Sequence, residues 1–177
     1  IHAKAWLAQQ LIDAAWQRNR AALAQAAGTT PSDPIAMARP WAWADTTPVA
    51  RLEFPALGRS LIVLAGESGR TLAFGPGHRP GTPWPAHDGN AVVSGHRDTH
   101  FALLRRLQVG DAIDAESIGG RRLRYRVVQL LVTDKHAVHL TADRGQTELT
   151  LVTCWPFDAA AAGGPGRYVV RAVRADR

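Results

Sequence analysis

Residues 149–157 read LTLVTCWPF, an apolar and β-branched run that ends in Cys154, a tryptophan and a proline. The run is strand-like, and alternation puts Thr150, Val152 and Cys154 on one of its faces. Cys154 is the only cysteine in the chain, so no intrachain disulfide forms. A lone thiol at a strand end is either a small buried hydrophobe or a reactive group. The residues around it decide which.

Working outward, the chain after Val49 is a series of short β-like runs separated by glycines. They are VARLEF (49–54), SLIVLAG (60–66), NAVVSGH (90–96), RLRYRVVQLLVT (122–133), ELTLVTC (148–154) and RYVVRAVR (167–174). Only brief helical candidates such as FALLRRL (101–107) interrupt them. This pattern predicts a mainly β fold, a closed or nearly closed antiparallel barrel spanning residues 49–177. Residues 1–27 read as one amphipathic helix, with Leu7, Leu11, Ala15 and the pair Ile12 and Trp16 at helical spacing and Gly28 as its stop. Its expected role is packing on the barrel, or serving as a stalk from a membrane helix lying before Ile1. Residues 28–48 carry prolines at 31, 34, 40 and 48 and read as a surface strap, pinned by Trp41 and Trp43.

Composition bounds the rest. With 177 residues, 46% of them hydrophobic, the chain can bury a sizeable core in one domain. The net charge of +6 suits an anionic partner or a solvated basic surface. No run reaches the roughly 18 to 20 apolar residues of a membrane span.

A free thiol is only a few per cent ionised at neutral pH, so nucleophilic chemistry at Cys154 needs a partner. Histidine is the usual one. In GNAVVSGHRDTHF (89–101), alternation places Val92, Ser94 and His96 on one face, and His96 stands at a strand end as Cys154 does. Two adjacent strands ending at one rim bring the two side chains together. Arg167 opens the last strand after the glycine-rich loop of GGPGRYVVRAV (163–173), where its guanidinium can meet a developing oxyanion. Arg171 shares that face but lies about 13 Å further along the strand.

These segments together resemble the sortase family. LTLVTC is similar to the Thr-Leu-X-Thr-Cys strand of sortases, VVSGHR to their histidine segment and GRYVVRA to their arginine strand. RLEFPALG, GHRPGTPWPAHDGNAVV and LLRRLQVGD are supporting matches, and the likeness runs from about Arg51 to Arg174. The forms TCWPF and GHRDTHF most resemble class D and E sortases and those of Gram-negative bacteria. The resemblance implies an eight-stranded sortase-type barrel and a cysteine transpeptidase that cuts a Leu-Pro-X-Thr-Gly-type sorting signal after Thr. By that likeness Cys154 is the nucleophile, His96 the acid and base, and Arg167 the oxyanion donor. The implied partners are a protein with a C-terminal sorting signal and an amine acceptor. The implied place is the cell envelope, with the catalytic domain outside the cytoplasm and a membrane anchor in an N-terminal segment absent from this chain. On the substrate side the candidates are Thr153, which alternation points away from the thiol, Trp155 beside it, and His78. His78 matches a family position outside the trio and also reads as a loop hydrogen-bonder.

Other readings fit less well. His96 and His100 stand four apart, and His136 and His139 three apart, but four-apart ligands share a face only on a helix, and no His-Glu-X-X-His occurs. No metal or other cofactor is expected. Papain-like enzymes place cysteine before histidine, the reverse of this order. L,D-transpeptidases use a Ser-His-Gly-Cys type segment that LVTCWP lacks. A basic oligonucleotide-binding barrel needs aromatics among its exposed basic residues, and only Tyr125 and Tyr168 fit, so no nucleic-acid partner is expected.

Overall fold

A computed structural model describes residues 2–26, 37–136, 141–142, 144–159 and 164–175. Its centre is a closed barrel of eight strands: β1 (Pro48–Phe54), β2 (Arg59–Ala65), β3 (Gly77–His78), β4 (Asn90–Ser94), β5 (Ala112–Ser117), β6 (Arg122–Asp134), β7 (Glu148–Trp155) and β8 (Gly166–Arg174). The order around the barrel is β1, β2, β3, β4, β7, β8, β6, β5. The expected eight-stranded barrel is therefore present. It is not wholly antiparallel, because β2 pairs β3 in parallel and β4 pairs β7 in parallel. Parallel neighbours need a crossover, and the long 95–147 excursion between β4 and β7 provides it.

Two strands escape the sequence pattern. β3 is two residues long, too short for alternation to register. β5, AIDAES, is poor in β-formers, and its acids are matched across the ladder instead. Asp114 lies opposite Arg124 and Glu116 opposite Arg122, with ion pairs of 2.6 and 3.1 Å. The segment expected as a short helix at 101–107 forms a 3-10 helix at His100–Arg106.

Inside the barrel, alternate residues of each strand make the main core, including Leu52, Phe54, Val93, Phe101, Ile113, Tyr125, Leu149, Leu151 and Val170. The Tyr125 hydroxyl accepts from the Ala86 N–H at 3.1 Å, and burial pushes its pKa up to about 12. The opposite face of β7 and its neighbours carries a separate cluster of Val92, Val152 and Val169, with Leu131 against it. That outer cluster is the floor of the site described below.

Helix α1 (His2–Ala26) lies on the outside of the barrel. Its buried stripe is Ala8, Ile12, Ala15, Trp16 and Asn19. The expected stripe is thus rotated, since Leu7 is 53% exposed and Ala8 takes its place. Trp16 sets the docking angle. It is fully buried with Ile12, Ile62 and Leu64, and the guanidiniums of Arg20 and Arg51 sit 5.8 and 5.5 Å from its ring centroid. The strap is held by Asn19, whose amide donates to the Ala38 carbonyl and accepts from the Ala38 N–H. Only one of the two expected tryptophan pins acts as such. Trp41 meets Phe74 edge-on at 4.6 Å, whereas Trp43 is 84% exposed. Gly28 and the first strap prolines lie outside the described residues. No described helix is long and apolar enough to cross a membrane.

Candidate active site

β7 is flanked by β4 on one side and β8 on the other, and each brings one group to the same outer face. On β7, Leu149 and Leu151 point into the barrel core, which leaves Thr150, Val152 and Cys154 outside, as alternation requires. β8 runs antiparallel with Cys154 directly opposite Arg167, so the two side chains share a face as a cross-strand pair. β4 runs parallel, with Ser94 level with Val152. The ladder continues one residue past the strand, where the Gly95 N–H donates to the Val152 carbonyl at 3.1 Å. His96 therefore continues to the level of Cys154. The structure places all three residues of the expected trio at one end of one face, with Cys154 half-buried, Arg167 half-buried and His96 exposed.

The backbone that carries His96 is closely held. The Thr153 hydroxyl, buried on the inner side of β7, donates to the Gly95 carbonyl at 2.7 Å. Thr153 is 2% exposed and committed to this bond, so it ties the histidine segment to the cysteine strand and offers little surface to a substrate. Gly95 itself tolerates no side chain, because a Cβ there would lie 2.7 Å from the Phe101 ring. The His96 carbonyl accepts from the Phe101 N–H at 2.9 Å. Next in the chain, Arg97 is buried and donates to the Ala159 carbonyl at 3.0 Å, which joins the histidine loop to the loop after β7.

Arg167 donates through one guanidinium nitrogen to the Gly164 and Gly166 carbonyls, at 3.0 and 2.8 Å. These bonds fix the head of the side chain at the rim. Arg171 does something else. Its guanidinium forms a fork on Glu148, Nε to Oε2 at 3.0 Å and a terminal nitrogen to Oε1 at 2.8 Å. Glu148 is fully buried and also accepts from Arg144 at 3.1 Å and Gln146 at 2.7 Å. Burial alone raises the pKa of that carboxyl; the bonds from Arg171 and Gln146 and the charges of Arg171 and Arg144 outweigh it and hold it below its ordinary value. Arg167 and Arg171 thus divide into one at the site and one in a buried ion-pair network, as their separation along the strand suggests.

Of the remaining histidines, His100 is half-buried beside the trio. Burial and the nearby His96 charge push its pKa down, and Asp98 opposes them. His136 is exposed beyond β6. His139 lies outside the described residues. His78 is 2% exposed. Its Nε2 sits 2.9 Å from the Pro83 carbonyl and 3.1 Å from the Thr82 hydroxyl, and its ring stacks on Trp84 at 4.1 Å. Burial pushes its pKa down. These contacts order the loop after β3 and give His78 no contact with the trio. Trp155 is 37% exposed at the rim, stacked on Tyr168 at 5.8 Å and edge-on to Phe157. No three His, Cys, Asp or Glu side chains converge on a metal-sized site among the described residues.

Sequence reasoning missed Glu67. Its carboxylate accepts from Arg79 Nε at 3.0 Å and from the Ser94 hydroxyl at 2.9 Å, two residues before His96. No sequence signal marks it, because Glu67 reaches β4 only through the fold of the β2 to β3 loop. Arg97 was open to notice as the residue after His96, but its partner Ala159 is a product of tertiary folding.

A thiol, an imidazole and a guanidinium at one rim, over an apolar floor, form a set suited to acyl transfer. The family model of the sortase domain matches residues 52–175. The chain belongs to the sortase family. It is similar to Sortase D of Bacillus subtilis (strain 168), with 32% identity over 120 residues that cover 67% of this chain and 60% of that protein. The matched region is thus less than two thirds of that relative's length, and its class agrees with the class D and E likeness of TCWPF and GHRDTHF. Sortase C1 from Streptococcus suis superposes with a TM-score of 0.63 at 28% identity, covering 73% of this chain and 74% of that chain. A lid mutant of sortase A from Corynebacterium diphtheriae gives a TM-score of 0.66 at 25% identity over 93% of this chain and 96% of that chain.

Proposed function

We propose that this chain is a cysteine transpeptidase that cleaves a Leu-Pro-X-Thr-Gly-type sorting signal after Thr and passes the acyl group to an amine. The observation that carries the reading is the register of three neighbouring strands. Cys154 faces Arg167 across the β7 to β8 ladder, and the β4 ladder ends at Ser94, level with Val152 and two residues before His96. In this mechanism the Cys154 thiolate attacks the Thr carbonyl, and a carbon–sulfur bond forms as the carbonyl electrons move to oxygen. Arg167 donates to that oxyanion with a planar, permanently charged group. Collapse breaks the carbon–nitrogen bond, and His96 supplies the proton to the leaving amine. An incoming amine then attacks the thioester, His96 takes its proton, and the thiolate is released. Thr153 acts by holding the Gly95 carbonyl, and through it His96, against the cysteine strand. Trp155 shapes the rim, and His78 orders the loop after β3.

On this reading the partners are a protein with a C-terminal sorting signal and an amine acceptor in the cell envelope, with the catalytic domain outside the cytoplasm and a membrane anchor in an N-terminal segment beyond this chain. The test is product analysis. A Leu-Pro-X-Thr-Gly peptide incubated with the protein and a glycine-based amine should yield two fragments, the first ending in Thr joined to the amine by a new amide. Cleavage at a different bond, or products that stay the same with Cys154→Ala, would refute the proposal.

A further inference from the structure

β3, the strand on the far side of β4 from the thiol, is only two residues long. It holds β4 by the pairs Gly77 with Ser94 and His78 with Val93, and by the Arg79 N–H, which donates to the Val92 carbonyl at 2.9 Å. That ladder ends at Ser94, so His96 stands two residues past its last β3 partner. The segment after β2 closes the gap from the outer face. A Cβ built on Gly77, which would share the face of Ser94, clashes with the Gly66 carbonyl and comes within 3.2 Å of the Glu67 Cα. Glycine at 77 is thus what lets Glu67 lie across the outer face of β3 and β4. From there one carboxylate ties both strands. Arg79 Nε donates to its two oxygens at 3.0 and 3.2 Å, and the Ser94 hydroxyl donates to Oε2 at 2.9 Å. The Glu67 and Arg79 side chains are 29% and 32% exposed, more sheltered than a surface ion pair.

We infer that Glu67 is a positioning residue for the acid and base step: its bond to the Ser94 hydroxyl, braced by Arg79, fixes the end of β4 and so the place of His96. The inference rests on the role proposed for His96. The Thr153 hydroxyl holds the Gly95 carbonyl from the inner side of β7, and Glu67 holds Ser94 from the outer side of β3. The two residues before the histidine are therefore held from opposite faces. Neither bond touches the reacting atoms. Both limit how far the histidine backbone can drift, and a misplacement of about 1 Å at a reacting group costs about 10²-fold in rate. A proton passes between imidazole and amine only within hydrogen-bond reach, so loosening the strand end slows turnover without weakening peptide binding.

The test uses Ser94→Ala, which removes the donor, and Glu67→Ala, which removes the acceptor, at a temperature where circular dichroism shows every variant folded. Each should lower kcat for Leu-Pro-X-Thr-Gly cleavage about tenfold, with KM within about twofold of wild type. The double variant should be no slower than the slower single one, because both act through one bond. Ser94→Thr keeps the hydroxyl on a good strand former and should regain most of the rate. An unchanged kcat in Ser94→Ala, a loss carried by KM, additive losses, or a threonine variant as slow as alanine would each overturn the inference. In parallel, the His96 ring Cε1–H resonance, assigned through His96→Ala, should shift on Cys154→Ala and shift far less on the same change in a Ser94→Ala background. Equal responses in the two backgrounds, or none in the first, also overturn it. If no peptide is cleaved, the transpeptidase reading falls; the resonance comparison then decides the role of Glu67 by itself, with a response lost in Ser94→Ala upholding it.

Discussion

Arg171→Ala separates the role of Arg171 on β8 from that of Arg167. The substitution removes a two-bond fork, at 3.0 and 2.8 Å, from a carboxylate that is fully buried. Breaking one side of a buried ion pair costs about 3 to 5 kcal/mol, because the other charge is left without water or partner. Glu148 keeps Arg144 and Gln146, so the lower end of that range applies, about 3 kcal/mol. For a chain of this size that lowers the melting temperature by roughly 6 to 12 °C. Urea unfolding followed by circular dichroism should show a lower midpoint with an unchanged slope. The pH dependence carries the sign of the effect. The folded carboxyl titrates below its ordinary value, so its stabilisation is fully present above the unfolded value of about 4.3 and is lost as pH falls through the folded one. The gap between wild type and Arg171→Ala should therefore be widest at neutral pH and close on acidification below about pH 4. Glu148→Leu combined with Arg171→Leu should recover most of the loss. A loss under about 1 kcal/mol at pH 7, or a gap that widens in acid, would refute the reasoning.

The other predictions concern the reaction. Arg167→Ala should cut turnover about 10²- to 10³-fold with little change in melting temperature, since an oxyanion donor acts only in the transition state; equal kinetic losses for Arg167→Ala and Arg171→Ala at a temperature where both are folded would mean the roles are misassigned. His96→Ala should remove turnover while His100→Ala and His136→Ala retain most of it, as measured by peptide cleavage; an inactive but folded His100→Ala beside an active His96→Ala would reverse the assignment. Thr153→Val leaves the buried Gly95 carbonyl without its donor at a cost of about 1 to 3 kcal/mol. It should lower kcat more than it raises KM, with Thr153→Ser restoring the rate; the serine variant matching valine would exclude a positioning role.

The strand ends bearing Cys154 and Arg167 were legible in the sequence, whereas two of the barrel's strands were not. Alternation alone set Cys154 with Val152 and His96 with Ser94, and the β4 to β7 ladder pairs Ser94 with Val152. The distance between Arg167 and Arg171 along one strand was equally legible, because strand rise is fixed by covalent geometry. What was not legible depends on contacts between distant segments. The strand β5 hides behind acidic residues whose partners, Arg122 and Arg124, become neighbours only when β6 folds back. Leu7 and Trp43 are large and apolar yet exposed, and composition gives no means of telling them from Ile12 and Trp41, which meet the barrel. The outward face of β7 likewise reads as apolar filler until β4 and β8 bring His96 and Arg167 beside it.

The most direct test of the central claim is the intact mass of the protein after mixing with a Leu-Pro-X-Thr-Gly peptide. The account predicts an adduct equal to the acyl portion ending at Thr, carried on Cys154, absent from Cys154→Ala and discharged by an added amine with formation of a new amide. Peptide cleavage that persists in Cys154→Ala would contradict it, since no acyl group could then pass through this thiol.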